Sequence, residues 1–252
     1  MVLSVMAICG ARTAAAERLV VSLSNPRVAI TSNFVGDELV LFGTVEPDAG
    51  KSEPQRSYDL VVTVAGPQQT LRTRRKQRVL GIWVNVGARE FVRVPSYLAI
   101  LSNRPVAQIA VPDVLRRLQI GLDNFLLPQR IGTDIADTVR DDPFRHAFVQ
   151  LQSQHGFYRQ TGDAVTFLTP SVFRVAITLP ADVPVGNYEI DAKLFVGGAM
   201  VARAPAALEV TKTGFEQYVA EAARDNGLLY GLATMLMALF TGWVSSVVFK
   251  RD

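Results

Sequence analysis

An uncharged run of 23 residues, Gly227 to Phe249, lies just before the last three residues of the chain. As a helix with a rise of ~1.5 Å per residue it would measure about 34 Å, enough to cross a hydrocarbon core of roughly 30 Å. The run is apolar on every side, and Lys250 and Arg251 follow it directly, as on the cytoplasmic flank of a membrane helix. We therefore predict a transmembrane helix over 227–249 and a cytoplasmic tail over 250–252. A buried core helix is the alternative.

The N-terminal end has the pattern of a secretory leader. An apolar stretch over 2–10 precedes the small-residue site Ala14-Ala15-Ala16, which predicts a signal peptide over 1–16. Because Arg12 follows the apolar stretch and no Lys or Arg precedes it, we expect this leader to be truncated at its front. A buried N-terminal strand or helix is the alternative. Together the two ends predict a single-pass protein of the inner (cytoplasmic) membrane, with its N-terminal domain in the periplasm and its C-terminus in the cytoplasm.

Charge and cysteine content exclude several classes of function. Without Arg12 at one end and Lys250, Arg251 and Asp252 at the other, 23 basic and 22 acidic residues remain. Such a nearly neutral domain does not fit general nucleic-acid binding, which needs many phosphate contacts. The single cysteine, Cys9, lies in the predicted leader, so the mature chain has no disulfide, thiol nucleophile or thiolate metal site.

Between the two ends, the first half of the chain has a β pattern. β-Branched and aromatic residues dominate three short segments separated by turn residues: 38–45, 58–64 and 79–86. Short strands at this spacing are typical of an antiparallel sandwich of the immunoglobulin type, which we predict as a β domain over 17–110. Trp83, in the third segment, is interpreted as core packing.

The middle of the chain changes to a helical period, and we predict a helical segment over 111–158. An apolar stripe over 114–126 predicts a first helix. A second helix is predicted with Asp142 as its N-cap, Pro143 at its first position and His155 at its end.

Strands return over 159–212, where we predict a β segment that completes a sandwich. Polar and apolar residues alternate over 186–196, and Gly197-Gly198 follows as a tight hairpin turn. An amphipathic juxtamembrane helix is predicted over 213–226. The pattern leaves open whether the β segments form one sandwich with a helical insertion or two.

One side of the predicted membrane helix consists of small residues. They recur every three or four positions: Gly227, Gly231, Thr234, Ala238, Gly242 and Ser245. Small side chains let helix backbones approach closely in lipid, so the set predicts docking against a membrane protein partner or self-association. The alternative is that glycine and alanine are common in such segments anyway.

A basic run stands out in the β domain. It places five cations in seven residues: Arg72, Arg74, Arg75, Lys76 and Arg78. On a strand this run could meet anionic headgroups or an acidic partner. The alternative, which we favour at this point, is a solvated hairpin edge whose cations discourage strand-to-strand aggregation.

The usual catalytic patterns are missing from the sequence. His146 and His155 lie nine residues apart without metal-ligand spacing, and no nucleophile elbow, phosphate-binding glycine loop or zinc-protease motif occurs. The adjacent carboxylates Asp141 and Asp142 are explained by helix capping. We therefore predict no catalytic, cofactor-binding or metal-binding residues and no cofactor.

Several stretches resemble one known family. They are 38–43, 64–67, 81–85, 94–97 and 179–188, with Tyr230-Gly231 and Gly242-Trp243 in the last helix. Over essentially the whole mature chain they resemble the alphaproteobacterial putative transmembrane protein family. The resemblance implies an inner-membrane anchor with a periplasmic domain and no assigned activity. The sulfite-exporter-like permease genes that neighbour its members imply an accessory role in transport.

The function expected from these observations is that of a non-catalytic interaction module or accessory subunit of an inner-membrane complex. A tethered periplasmic ligand- or envelope-binding domain is the alternative. A hydrolase whose site is assembled from distant residues is a third, less favoured one.

Overall fold

The computed structural model describes residues 17–46, 57–79, 81–131, 134–213 and 223–248. Strands account for 51% of these described residues and helices for 22%, which confirms the predicted mainly β fold class with its C-terminal helix. The chain divides into two compact units, one of residues 1–28 with 35–210 and one of residues 29–34 with 211–252. We call the first of these the β unit.

The strands and helices of the described residues have the following bounds, in chain order. The strands are β1 (Arg18–Leu23), β2 (Arg27–Ile30), β3 (Asp37–Glu46), β4 (Tyr58–Ala65), β5 (Gln68–Val79), β6 (Ile82–Pro95), β7 (Leu98–Ser102), β8 (Pro128–Ile131), β9 (Asp134–Asp137), β10 (Tyr158–Thr161), β11 (Val165–Phe167), β12 (Val172–Leu179), β13 (Gly186–Val196) and β14 (Ala199–Lys212). The helices are α1 (Val106–Ile109), α2 (Pro112–Arg117), α3 (Pro143–Gln154) and α4 (Gly227–Val248).

The strands form three sheets. Sheet 1 has the order β1-β3-β12-β11, sheet 2 the order β10-β7-β4-β13-β14-β2, and sheet 3 the order β5-β6-β8-β9. Antiparallel pairing predominates, and β10 pairs with β7 in parallel. The immunoglobulin type of the sandwich remains a prediction.

Burial distinguishes the roles of sheets 1 and 2. In β12 buried and exposed residues alternate, which is the pattern of a sheet with one covered face. In β4 the consecutive residues Leu60, Val61 and Val62 are all buried, so sheet 2 is covered on both faces. Tyr97, directly before β7, donates its hydroxyl to the Thr178 carbonyl of β12 at 2.7 Å, a bond that joins the two sheets across the core.

One face of sheet 2 packs towards sheet 1, and two hydrophobic clusters cover its other face, which we call the second face. In one, α1 and α2 pack their buried Ile109 and Leu115 near Ile100 of the sheet. In the other, Phe148 of α3 packs against Phe91 of β6, with ring centroids 4.6 Å apart. The helical insertion and sheet 3 are therefore parts of the β unit's packing.

The predicted helix over 114–126 is largely wrong. Helix α2 ends at Arg117, because Gln119 and Gly121 adopt left-handed backbone angles with φ of +54° and +106°. The apolar side chains that follow still pack, with Leu122 touching both clusters, but they do so from turns. The segment over 111–158 that was predicted as helical also contains β8 and β9.

The predicted strand over 79–86 is interrupted by a turn. Val79 pairs with Ile82, and Gly81 between them has φ +85°, so the segment forms the end of the β5–β6 hairpin. A residue without Cβ adopts this angle at no steric cost. A glycine inside an apolar run was therefore the missed turn signal.

Other local predictions are confirmed. Asp142 caps α3 by accepting a hydrogen bond from the Phe144 amide at 2.7 Å, and Pro143 takes the first helical position. Gly197 and Gly198 form the turn between β13 and β14 with φ of +56° and +85°.

Helix α4 occupies most of the predicted membrane run. It is the one candidate span among the described residues, with a mean hydropathy of 1.6 over Gly227–Ser246 and none of its window buried. The predicted leader over 1–16, most of the juxtamembrane segment over 213–226, and the tail over 250–252 lie outside the described residues.

Candidate interaction surfaces

The six small residues of α4 line one exposed side of the helix. A Cβ added to Gly227, Gly231 or Gly242 would meet nothing within 4 Å, so the packing of the described residues does not require glycine at these positions. A shallow groove runs over the C-terminal half of this side, lined by Thr234, Met237, Ala238, Thr241, Gly242 and Ser245. We call this side the small-residue face.

The two threonine hydroxyls of this helix are satisfied locally. Thr234 donates to the Gly231 carbonyl at 2.9 Å and Thr241 to the Met237 carbonyl at 2.7 Å. Such bonds to the preceding turn remove the need for another hydrogen-bond partner in an apolar surrounding. The small-residue face is therefore shaped for close packing rather than for polar recognition.

The predicted basic run lies on β5, towards the free end of the β5–β6 hairpin. All five of its cations are exposed, as expected for a strand at the edge of sheet 3. In the register, Arg72 lies opposite Glu90 and Arg78 lies opposite Trp83. The run therefore forms a cationic strip on a two-stranded ribbon.

Trp83 is not a core residue. Its exposed fraction is 67%, that of Ile82 beside it is 69%, and Val79, Val84 and Val86 are also exposed. The interpretation of Trp83 as core packing was wrong because the segment is the end of a hairpin, beyond the reach of the clusters that bury Phe91 on the same strand. We call the set Val79, Ile82, Trp83 and Val84 the apolar tip.

A polar cleft of about 590 Å³ lies on the second face of sheet 2. It is formed where this sheet meets β6 and the end of α2. Its charged lining comprises four cations and two carboxylates: Arg93, Arg117, Lys193, Arg203, Glu189 and Asp191. Thr63 also lines the cleft, and its buried Oγ1 finds no hydrogen-bond partner among the described residues. The excess of cations favours an anionic occupant.

Asp191 organises the charges of the cleft. It accepts a hydrogen bond from Arg203 Nε at 2.6 Å and another from Lys193 Nζ, whose side chain is almost completely buried. Burial by itself raises the pKa of Asp191, but the hydrogen bonds and positive charges of Arg203 and Lys193 outweigh it and lower that pKa. The carboxylate is thus held ionised between two cations.

Two residues of the cleft have backbone angles that glycine usually takes. Arg93 has φ +52° and Gln119 has φ +54°. Arg93 lies in an irregular stretch of the β5–β6 ladder, where the register shifts between Gln69 and Leu71. Bulges of this kind redirect side chains and are frequent beside binding sites. The geometry brings Arg93 to the cleft.

The histidines and carboxylates form no metal centre in the described part of the chain, where no group of three potential ligands was found. His155 caps the end of α3. His146 lies on the same helix beside a groove that also contains Asp123, Asp141 and Arg145.

Residues 18–251 match the sequence model of one family, described as Putative transmembrane protein (Alph_Pro_TM). The chain belongs to this family. The family and the apolar helix α4 agree that this is a membrane protein with one candidate C-terminal spanning helix. The resemblance inferred from the sequence is confirmed.

Beyond this family, the chain has little similarity to known proteins. No curated protein matches the sequence. Among solved structures, the sporulation control protein Spo0M from Bacillus subtilis is similar with a TM-score of 0.28 and 10% sequence identity. That similarity covers 83% of this chain and 55% of the other, so the chain spans about half the length of Spo0M.

Two features of the structure, the cleft and the apolar tip, were not predicted from the sequence, although each left a signal there. The cleft is marked by Glu189, Asp191 and Lys193, which alternate with apolar residues in β13 and therefore share one face. The apolar tip is marked by the hydrophobic residues around Gly81, directly after the basic run. The cleft itself was out of reach, because it needs Arg93 and Arg117 from elements distant in sequence.

Proposed function

We propose that the chain is a single-pass, membrane-anchored periplasmic module that acts by binding a membrane protein partner, with no catalysis of its own. The partner docks against the small-residue face of α4, and the chain serves as an accessory subunit of an inner-membrane complex. Self-association through the same face is the form this takes if the partner is a second copy.

The supporting observation is the open space around Gly231 and Gly242. Glycine inside a helix is less favourable than alanine by about 1 kcal/mol, and nothing in the described residues fills the space that a Cβ would take. The backbone of a second helix can approach α4 closely only where the side chains are small. Docking of such a helix therefore explains glycine at these two positions.

The charges around α4 support the orientation. Directly before the helix, the cation Arg224 is balanced by the carboxylate Asp225. Directly after it, the two cations Lys250 and Arg251 outnumber the one carboxylate, Asp252. An excess of cations marks the cytoplasmic side of a membrane helix, which favours a periplasmic location for the β unit.

Replacement of α4 by an unrelated membrane helix tests this function. A chain with a polyleucine span over 227–248 keeps an anchor but loses the small-residue face. We expect it to reach the membrane in normal amounts and to lose its partner. A polyleucine chain that retains the same partner would show that docking does not use α4.

The polar cleft favours a second candidate function, a tethered domain that binds a small anionic ligand. The observation that supports this function is that Thr63, in the lining of a cleft with excess positive charge, has a buried Oγ1 without a partner among the described residues. Calorimetric titration of the detergent-solubilised full chain with inorganic phosphate, sulfate and small dicarboxylates tests it.

A matched pair of variants makes that titration specific to the cleft. Arg93→Gln with Arg117→Gln removes two cleft cations, whereas Arg159→Gln with Arg174→Gln removes two exposed cations elsewhere. Binding that only the first pair abolishes would support the ligand-binding function. Absence of binding by the natural chain, or equal loss in both pairs, would count against it.

A further inference from the structure

The free end of the β5–β6 hairpin combines exposed apolar side chains with a dense positive charge. We propose that this end binds the surface of a bilayer rich in anionic phospholipid, with its apolar tip in the headgroup region. This contact is separate from the docking of α4 and does not depend on it.

The apolar tip is large for a surface that faces only water. Ile82 and Trp83 are more than two-thirds exposed, and Val79 and Val84 more than two-fifths. A Cβ on Gly81, at the turn between them, would meet nothing within 4 Å. Contiguous exposed apolar groups of this kind mark surfaces that bind a membrane or another molecule.

The hairpin presents two different faces. Directly paired residues of an antiparallel ladder project to the same side, and the side alternates from pair to pair. Val79 with Ile82, and Val84 with Gln77 two pairs further along, therefore share one predominantly apolar side. The opposite side carries Arg78 with Trp83. The hairpin end is therefore amphipathic, with a tryptophan among its cations.

This distribution matches the chemistry of a bilayer interface. Apolar side chains enter the boundary of headgroups and acyl chains, tryptophan favours the headgroup level, and long cationic side chains reach back to the phosphates. The outer edges of a two-stranded ribbon keep unpaired backbone groups, which cannot enter hydrocarbon. The hairpin end can therefore lie in the interface but cannot span the membrane.

Positive charge together with membrane anchorage favours anionic lipid over an acidic protein as the occupant. Six cations and no carboxylate occur from Arg72 to Arg89, and each cation near an anionic bilayer contributes about a fivefold gain in binding, or ~1 kcal/mol. The chain also belongs to a membrane protein family and carries α4. An anchored chain meets a bilayer surface at high effective concentration.

Tryptophan fluorescence gives a direct test, because the sequence has two tryptophans, Trp83 and Trp243. Trp243→Phe leaves Trp83 as the only one. The full-length variant is reconstituted in vesicles of phosphatidylglycerol or of phosphatidylcholine, each with brominated acyl chains as quenchers. We expect Trp83 to be quenched and shielded from aqueous iodide in phosphatidylglycerol, and much less so in phosphatidylcholine or at high salt.

Charge variants complete the test. Arg74→Gln, Lys76→Gln and Arg78→Gln together should weaken the contact on the order of 100-fold, whereas the same change at the exposed residues Arg116, Arg159 and Arg174 should leave it intact. Trp83→Phe with the natural Trp243 shows that reconstitution succeeded. Unquenched, iodide-accessible Trp83 in both lipids would overturn the proposal. So would quenching that is equal in both lipids, or shielding of Trp83 only when an acidic protein is added.

Discussion

The ring of Phe173 on β12 lies directly over Gly43 on β3, and a Cβ on Gly43 would come within 2.3 Å of Phe173 Cζ. The added Cβ would also lie 2.7 Å from the Val20 carbonyl oxygen on the neighbouring strand β1. Gly43 thus allows three strands of sheet 1 to pack around a buried aromatic ring. This glycine serves the chain's own fold.

Gly43→Ala should destabilise the β unit, because neither the buried ring nor the neighbouring backbone can move away freely. We expect a loss of about 3 kcal/mol in the free energy of unfolding, measured by urea unfolding of the chain in mild detergent with circular dichroism. Gly231→Ala is the control. A Cβ there meets open space, so the unfolding of the β unit should not change.

Two aromatic residues of β6 should respond oppositely to truncation. Phe91 is fully buried against Phe148, and Phe91→Ala should lower the free energy of unfolding by about 3–5 kcal/mol. Trp83→Ala, at the exposed tip, should change it by less than ~0.5 kcal/mol. A large loss from Trp83→Ala would mean that the hairpin end packs within the fold.

Asp191→Asn should destabilise the chain through the charge that it leaves behind. Lys193 is nearly buried and would then lie near Arg203 without its carboxylate. Because the cleft opens to solvent, we expect a loss of about 1–3 kcal/mol. Adding Lys193→Met to Asp191→Asn removes the uncompensated charge and should recover much of that loss. A double variant less stable than the single one would contradict this account.

Alkaline pH should destabilise the fold through its buried tyrosines. Burial raises the pKa of Tyr97 to about 12, with part of the rise offset by Arg159, and burial also raises the pKa of Tyr158 and Tyr188. The unfolded chain ionises these tyrosines near their ordinary pKa of 10, whereas the folded chain keeps them neutral to a higher pH. The stability of the fold is therefore unaffected below pH 10 and is lost as the pH rises towards 12. Each such tyrosine adds a slope of up to ~1.4 kcal/mol per pH unit in that range.

Tyr97→Phe separates this effect from the loss of a hydrogen bond. The variant loses the 2.7 Å bond to the Thr178 carbonyl, so it should be less stable than the natural chain by about 1 kcal/mol near pH 8. Its stability should then fall less steeply between pH 10 and 12, as followed by urea unfolding at each pH. A slope equal to that of the natural chain would contradict the assigned pKa.

The sequence predicted features that depend on neighbouring residues. The apolar helix α4, the cap at Asp142 and the Gly197-Gly198 turn follow from local pattern, and all three are present in the structure. The helix over 114–126 failed because its apolar period continues through Gln119, where the backbone turns left-handed and the side chains reach the core from turns.

The candidate surfaces show the same division. The small-residue face and the cationic strip were predicted from spacing, and their residues are exposed in the structure. Burial of Trp83 was misjudged, because exposure depends on how far a hairpin extends beyond its neighbours. The cleft depends on Arg93 and Asp191 from separate strands, and no local period brings them together.

The proposed docking through α4 is tested most directly by gentle detergent extraction and affinity pull-down from native membranes. The natural chain is compared with a variant carrying Leu in place of Gly231, Ala238 and Gly242. A control carries Leu in place of Ala233 and Val244, on the opposite side of the helix. We predict that one membrane protein, or a second copy of the chain, co-purifies with the natural chain and the control but not with the first variant. The same partner with all three chains, or none with the natural chain, would contradict docking through the small-residue face.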